Sequence, residues 1–127
     1  MTTDSTQRRV FAAILLDVIV VVVFAAIGRA SHDEGSPVVD ALATAWPFLA
    51  GATVGWLLVR GINRTWPLSL RTGWPVWLST IVVGMILRQV SGRGTAVPFI
   101  IVATVFLGIF LLGWRLVAGL VARRAHA

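Results

Sequence analysis

The side chains best suited to chemistry in this sequence are few, and three of them are consecutive. Ser31, His32 and Asp33 are the residue types of a nucleophilic triad. Catalytic triads join side chains from distant segments, so three neighbours in one loop rarely converge. The segment also lacks the spaced ligands of a metal site, and the chain has no cysteine. We therefore expect no catalytic residue, no metal site and no cofactor.

Asp17 is the most informative polar residue, because it interrupts a long apolar run. A carboxylate near the centre of a membrane helix costs about 2.5 to 3.5 kcal/mol, so it should face a bundle interior and have a partner or be protonated. Arg115 is the candidate partner. The pair would serve as a proton or ion relay, or it would fix helix packing; alternatively, Arg115 extends alone to the membrane interface. We prefer the structural role.

The depths of the two side chains favour this pairing. At 1.5 Å per residue, Asp17 lies about 3 Å and Arg115 about 10 Å from the midpoints of their helices, on the same side. Side chains lean toward the N-terminus of their own helix. In antiparallel helices this lean brings the carboxylate and the guanidinium toward each other.

A second group of charges is predicted at the opposite end of the bundle. Arg29, Arg88 and Arg93 would form an outer basic cluster for an anion or a lipid headgroup. The alternative is that acidic residues of the first loop neutralise the cluster. Those residues are Asp33, Glu34 and Asp40.

The composition identifies the elements that position these residues. The chain is 57% hydrophobic and only 13% charged, and its mean hydropathy is +0.89. A soluble domain has about a quarter of its residues charged. These values exclude a soluble enzyme, a disordered tail and a nucleic-acid module, despite the net charge of +6. They predict an integral membrane protein with the lipid bilayer as its surroundings.

Four apolar runs have the length of membrane-spanning helices. They cover about 10–28, 41–59, 74–90 and 97–122. Backbone groups in hydrocarbon must bond within their own segment, so helices are expected. The first run is longer than the 7 to 15 residues typical of a signal peptide core, which favours a retained helix. We predict an all-α polytopic membrane protein: residues 1–127 form one domain, an up-down bundle of two helical hairpins.

The arginines predict the orientation of this bundle. Seven arginines fall on one side of four spans, and such an excess marks the cytoplasmic side. Both termini are therefore expected in the cytoplasm, in a multi-pass protein of the cell membrane. Five tryptophans should lie near the same interface, as in an aromatic belt. They are Trp56, Trp66, Trp74, Trp77 and Trp114. The seven arginines are Arg8, Arg9, Arg60, Arg64, Arg71, Arg123 and Arg124.

Two segments resemble each other at a constant offset. When residues 44–54 are aligned with residues 95–105, seven of the eleven positions are identical. A parallel duplication would place Pro47 and Pro98 at two equivalent helix starts, facing a vestibule that Arg29 and Arg88 also line. The alternative is that both segments use the residues common at helix starts and, being built from few apolar residue types, look alike without duplication.

Gly51 and Gly55 form a small-residue face in the second helix. Such faces let helix backbones approach closely. The contact would lie within the bundle or between protomers, and packing within the bundle is the default expectation for four helices.

Several short motifs follow one another in a distinctive order. They include Gly28-Arg29-x-Ser31-His32, Trp46-Pro47-Phe48, Gly84-Met85-x-x-Arg88, Gly92-x-Gly94-Thr95 and Gly113-Trp114-Arg115. This order resembles the Domain of Unknown Function 3054 family of small bacterial and archaeal membrane proteins. The resemblance implies four membrane helices and brings no established activity, cofactor or site.

Two functions remain open from the sequence. The first is a structural or accessory protein, not an enzyme, that binds lipid or other membrane proteins or associates with itself. The second is a small oligomeric transporter or channel that uses Asp17. Contact between Asp17 and Arg115 would argue against a free carrier carboxylate.

Overall fold

The computed structural model describes residues 3–30 and 37–125, and the side chains of residues 4–28 and 38–125. All regular structure in these ranges is helical, and four helical segments are long and apolar enough to cross a membrane. The predicted all-α fold with four transmembrane helices is therefore confirmed. The helices are α1 (Thr3–Ala30), α2 (Pro37–Leu58), α3 (Leu70–Val90), α4 (Val97–Leu107) and α5 (Gly113–Ala125).

Two π-helical segments extend these helices. Val59–Asn63 continues α2, and Gly108–Leu112 joins α4 to α5, so that Val97–Ala125 forms one fourth span. Three helices begin earlier than the apolar runs suggested: α1 at Thr3 rather than near 10, α2 at Pro37 rather than near 41, and α3 at Leu70 rather than near 74. The reason is that a helix continues past the hydrocarbon, where its first turn can be polar. The fourth span begins at Val97, as expected.

The packing of the spans follows their order in the chain. Helix α1 packs on α2, α2 on α3, α3 on the fourth span, and the fourth span returns to α1. Many valine, isoleucine and leucine side chains remain exposed on the outside of this ring. An apolar exterior is the expected surface for helices that face lipid.

The closest helix packing joins α2 to α3 through two glycines. A Cβ atom on Gly51 would lie 2.9 Å from the Cα of Thr80, and one on Gly55 would lie 2.8 Å from the Cα of Val76. The hydroxyl of Ser79 donates to the carbonyl of Gly51 at 2.8 Å. The small-residue face therefore packs inside the bundle, against α3.

One end of the bundle interior is filled by phenylalanines, which we call the apolar layer. The ring of Phe24 contacts the rings of Phe48, Phe99 and Phe106, with centroid distances of 5.4 to 5.8 Å. A Cβ on Gly84 of α3 would overlap the ring of Phe48. Glycine at this position therefore gives the ring its place between the helices.

The two similar segments occupy related depths but differ in structure. Phe48 and Phe99 are equivalent in the repeat, and their rings contact each other with centroids 6.0 Å apart. Pro47, however, is buried inside α2, whereas Pro98 is exposed in the first turn of α4.

The prediction that both prolines lie at helix starts is therefore wrong. Only α4 begins at this depth, because α2 has already started at Pro37. Pro47 and Pro98 therefore do not form a vestibule of two facing helix starts. Arg29, its other predicted wall, has a side chain outside the described residues.

Candidate functional site

Asp17 and Arg115 form a buried ion pair in the bundle interior. The side chain of Asp17 comes from α1 and that of Arg115 from α5, and the two residues are 2% and 1% exposed. Nη1 of Arg115 donates to Oδ1 of Asp17 at 2.9 Å, and Nη2 donates to Oδ2 at 2.7 Å. This is the bidentate geometry that makes arginine–carboxylate pairs strong and specific.

Two tryptophans complete the contacts of the carboxylate. Trp56 of α2 donates its indole N–H to Oδ2 at 2.9 Å, and Trp114 of α5 donates to Oδ1 at 2.8 Å. Each oxygen of Asp17 therefore accepts one bond from Arg115 and one from an indole. A carboxylate has about four acceptor positions, so these four donors saturate it.

Arg115 has further partners in the backbone. Its Nε donates to the carbonyl of Pro67 at 2.9 Å, in the connection between α2 and α3. Nη1 also donates to the carbonyl of Leu111 at 2.8 Å. Burying a guanidinium requires such partners, because an unpaired buried donor costs free energy.

The third helix takes part by making room. A Cβ atom on Gly73 of α3 would overlap Cδ and Nε of Arg115. A larger residue there would push the Arg115 side chain away from its hydrogen-bond partners. We call Asp17, Trp56, Gly73, Trp114 and Arg115 the buried polar cluster, to which every span contributes.

The two cluster residues of the fourth span, Trp114 and Arg115, follow a π-helical segment. Trp77 of α3 donates to the carbonyl of Thr104 at 3.1 Å, shortly before the π segment, and Arg115 bonds Leu111 within it. Both side chains donate to backbone carbonyls in the π segment or one turn before it. Such turns are frequent at functional sites, and here the turn immediately precedes Trp114 and Arg115.

A lateral groove between α1 and α2 reaches the cluster from the side. Its volume is about 490 Å³, and its lining includes Asp17, Trp56 and Trp66. Arg60 lies at the groove and stacks over the Trp66 ring, with its Cζ 4.6 Å from the centroid. The groove is mostly apolar, and Asp17 is almost inaccessible from it because its oxygens already have four donors.

The outer arginines have separate surroundings. Nε of Arg88 donates to the carbonyl of Gly94 at 2.9 Å, and its guanidinium lies over the Phe99 ring, 4.1 Å from the centroid. Gly92 and Gly94 have φ angles of 84° and 79°, which only glycine adopts readily, so they form the turn that holds Arg88.

The predicted outer cluster of Arg29, Arg88 and Arg93 stays a prediction. The Arg93 side chain is exposed. The Arg29 side chain, Asp33 and Glu34 lie outside the described residues, and so does the Ser31-His32-Asp33 segment.

The chain was compared with known protein families, curated proteins and solved structures. A family model described as "Protein of unknown function (DUF3054)" matches residues 14–118. The chain belongs to this family. The match covers most of the chain and includes both Asp17 and Arg115. No curated protein and no solved structure matches the chain. The protein is thus a multi-pass membrane protein of a family without an assigned function.

Two members of the buried polar cluster were not foreseen in their roles. Trp56 and Trp114 were expected in an interfacial aromatic belt, whereas their indoles bind Asp17 inside the bundle. One signal was available. Trp114 directly precedes Arg115 in the sequence, and a buried carboxylate can accept more hydrogen bonds than one arginine supplies.

Proposed function

We propose that this protein is a structural or accessory component of the cell membrane, and not an enzyme. It would bind lipid or other membrane proteins through its outer surface. The observation that carries the proposal is the saturated carboxylate of Asp17. A carrier must exchange a proton or ion at its acidic residue during each cycle, and this exchange would first have to displace four donors.

The second candidate is a small proton-coupled transporter or channel. The groove between α1 and α2 favours it, because this groove leads from the outside of the bundle to Asp17. The two functions differ in whether Asp17 must change its protonation during activity.

A flux measurement separates the two candidates. The purified full chain would be reconstituted into liposomes that contain a pH-sensitive dye, and a pH gradient would be imposed. We expect the wild type and Asp17→Asn to give the same proton leak as protein-free liposomes. A flux that the wild type shows and Asp17→Asn lacks would overturn the structural proposal. If neither protein shows flux, co-purification in mild detergent would identify the proteins and lipids that bind the wild type.

We also propose that both termini lie in the cytoplasm. The support is the excess of arginine near the start of α1, near the end of the fourth span, and between α2 and α3. Single cysteines at Ser36 and Thr65 would be labelled from outside whole cells, in a chain that otherwise has none. We expect labelling of Ser36→Cys alone. Labelling of Thr65→Cys alone would reverse the orientation.

A further inference from the structure

Three arginines from three different helices line one cavity at the end of the bundle that holds the chain termini. Arg9 of α1, Arg71 of α3 and Arg123 of α5 surround a space of about 350 Å³. This volume lies within the range of small-molecule sites. All three side chains are exposed.

The charge in this cavity is uncompensated. No aspartate or glutamate lines it within the described part of the chain. Arg115 contributes to its inner wall, but that guanidinium is already neutralised by Asp17. Three like charges around one space repel each other unless an anion binds between them.

The wall of the cavity is apolar on the side of α5. Leu116 and Leu120 line it, and they are 49% and 51% exposed. With Arg123 they recur at spacings of four and three residues, so they share one face of the helix. A ligand that suits this face is anionic at one end and apolar along its length.

The first turn of α3 adds to the same field. Ser69 and Leu70 line the cavity beside Arg71, and Ser69 caps the helix through a bond from the backbone N–H of Thr72 at 3.2 Å. The N-terminus of a helix carries partial positive charge. It reinforces the three arginines, although it would not define a site without them.

We propose that this cavity binds the headgroup of an anionic phospholipid, with the acyl chains lying along Leu116 and Leu120. The arginines would hold the phosphate, which arginine binds by paired N–H donors. The proposal rests on the proposed lipid- or protein-binding role and names its ligand. It is independent of Asp17, so a failed flux experiment and a failed lipid experiment are distinguishable.

The chain supplies matched controls for the arginines. Arg8 and Arg124 are the direct neighbours of Arg9 and Arg123, and neither lines the cavity. Arg8 instead lines a shallow depression with Asp4. Substitution of either neighbour changes the net charge by the same amount as substitution of the cavity residue.

The experiment titrates the detergent-purified full chain with phosphatidylglycerol and with phosphatidylcholine, and measures binding by native mass spectrometry. We expect phosphatidylglycerol to bind at least tenfold more tightly. Arg9→Gln, Arg71→Gln and Arg123→Gln should each weaken its binding about fivefold, since each basic residue near an anionic surface contributes about 1 kcal/mol. Arg8→Gln and Arg124→Gln should weaken it less than twofold.

A charge-neutral variant tests the cavity itself. Gly119 lines the cavity, and a Cβ there meets nothing within 4 Å. Gly119→Leu should fold, occupy the space and lower phosphatidylglycerol affinity at least fivefold. Unchanged affinity would overturn the site, and this variant decides the matter if an arginine variant fails to fold.

Three other results would also overturn the proposal. The first is equal binding of the two lipids. The second is an equal loss for the cavity arginines and their neighbours, which would mean only a diffuse charge effect. The third is displacement of the lipid by millimolar inorganic phosphate, which would mean that the cavity binds the free ion.

Discussion

The two halves of the bundle interior hold the same four spans together by different contacts. In the half nearer the termini, α1 and α5 meet through the ion pair of Asp17 and Arg115, with bonds of 2.7 and 2.9 Å. In the other half, α1 and α4 meet through Phe24 and Phe99, whose centroids lie 5.8 Å apart. One half relies on directional bonds and the other on packed rings.

Helix α3 contributes a glycine to each half. Gly73 makes room for Arg115, and Gly84 makes room for Phe48. The two glycines are eleven residues apart, which is close to three full turns, so they lie on the same face of α3. The lack of a side chain on α3 thus leaves space for a guanidinium at one level and for an aromatic ring at the other.

The two halves differ in how strictly they fix the positions of the helices relative to one another. In lipid, apolar side chains gain little from leaving their surroundings, so rings stabilise the bundle through packing alone. Rings also tolerate small shifts between helices. A carboxylate with four donors is satisfied in only one arrangement, since a rotation or slide of either helix breaks bonds in a medium without water. The buried polar cluster therefore fixes the register of the spans.

The largest effect is expected from breaking the ion pair. Asp17→Ala and Arg115→Ala each leave a buried charge without its partner, which costs about 3 to 5 kcal/mol in soluble proteins. The cost should be lower here, because the unfolded chain in a membrane also finds partners. We expect each variant to lower the free energy of unfolding in mixed micelles by up to about 3 kcal/mol.

The double variant tests whether the two residues act together. Asp17→Ala combined with Arg115→Ala removes both charges, so part of the loss should be recovered. Additive losses would show that the contact contributes nothing specific. Phe24→Ala serves as the comparison in the apolar layer, and its loss should be additive with that of Asp17→Ala.

The second effect concerns the two glycines of α3. Gly73→Ala and Gly84→Ala both force overpacking, which typically costs about 1 to 3 kcal/mol. We expect the larger drop in thermal stability for Gly73→Ala, because Arg115 is fixed by its bonds whereas the Phe48 ring can tilt. Gly113→Ala is the control, since its φ is −63° and a Cβ there meets nothing within 4 Å. A larger loss for Gly84→Ala would mean that the apolar layer is the more rigid half.

The smallest effect is expected from the indole donors. Trp56→Phe and Trp114→Phe each remove one hydrogen bond to Asp17 while keeping an aromatic ring. Side-chain hydrogen bonds between membrane helices contribute about 0.6 kcal/mol on average. We expect a loss of this size for each variant in the same unfolding assay. Trp77→Phe, which loses a bond to the Thr104 carbonyl, is the control for a donor outside the cluster. A double Trp56 and Trp114 variant that loses no more than one single variant would show that the four donors are not all needed.

The sequence by itself determined the number of spans and their helical form. The physical reason is that backbone groups in hydrocarbon must bond locally, so length and hydropathy suffice to identify each span. It also indicated Asp17 and Arg115 as partners, because depth along a helix is fixed at 1.5 Å per residue. The family resemblance was likewise available from the order of short motifs, and the match over residues 14–118 confirms it.

Only the tertiary structure decided which side chains surround that pair. The donation from Trp56, the contact with the Pro67 carbonyl and the space left by Gly73 depend on rotation of the helices about their axes. The cavity of Arg9, Arg71 and Arg123 likewise requires three helix ends to meet. Depth follows from counting residues, whereas rotation and neighbour choice follow from the packing of all four spans at once, which no single segment encodes.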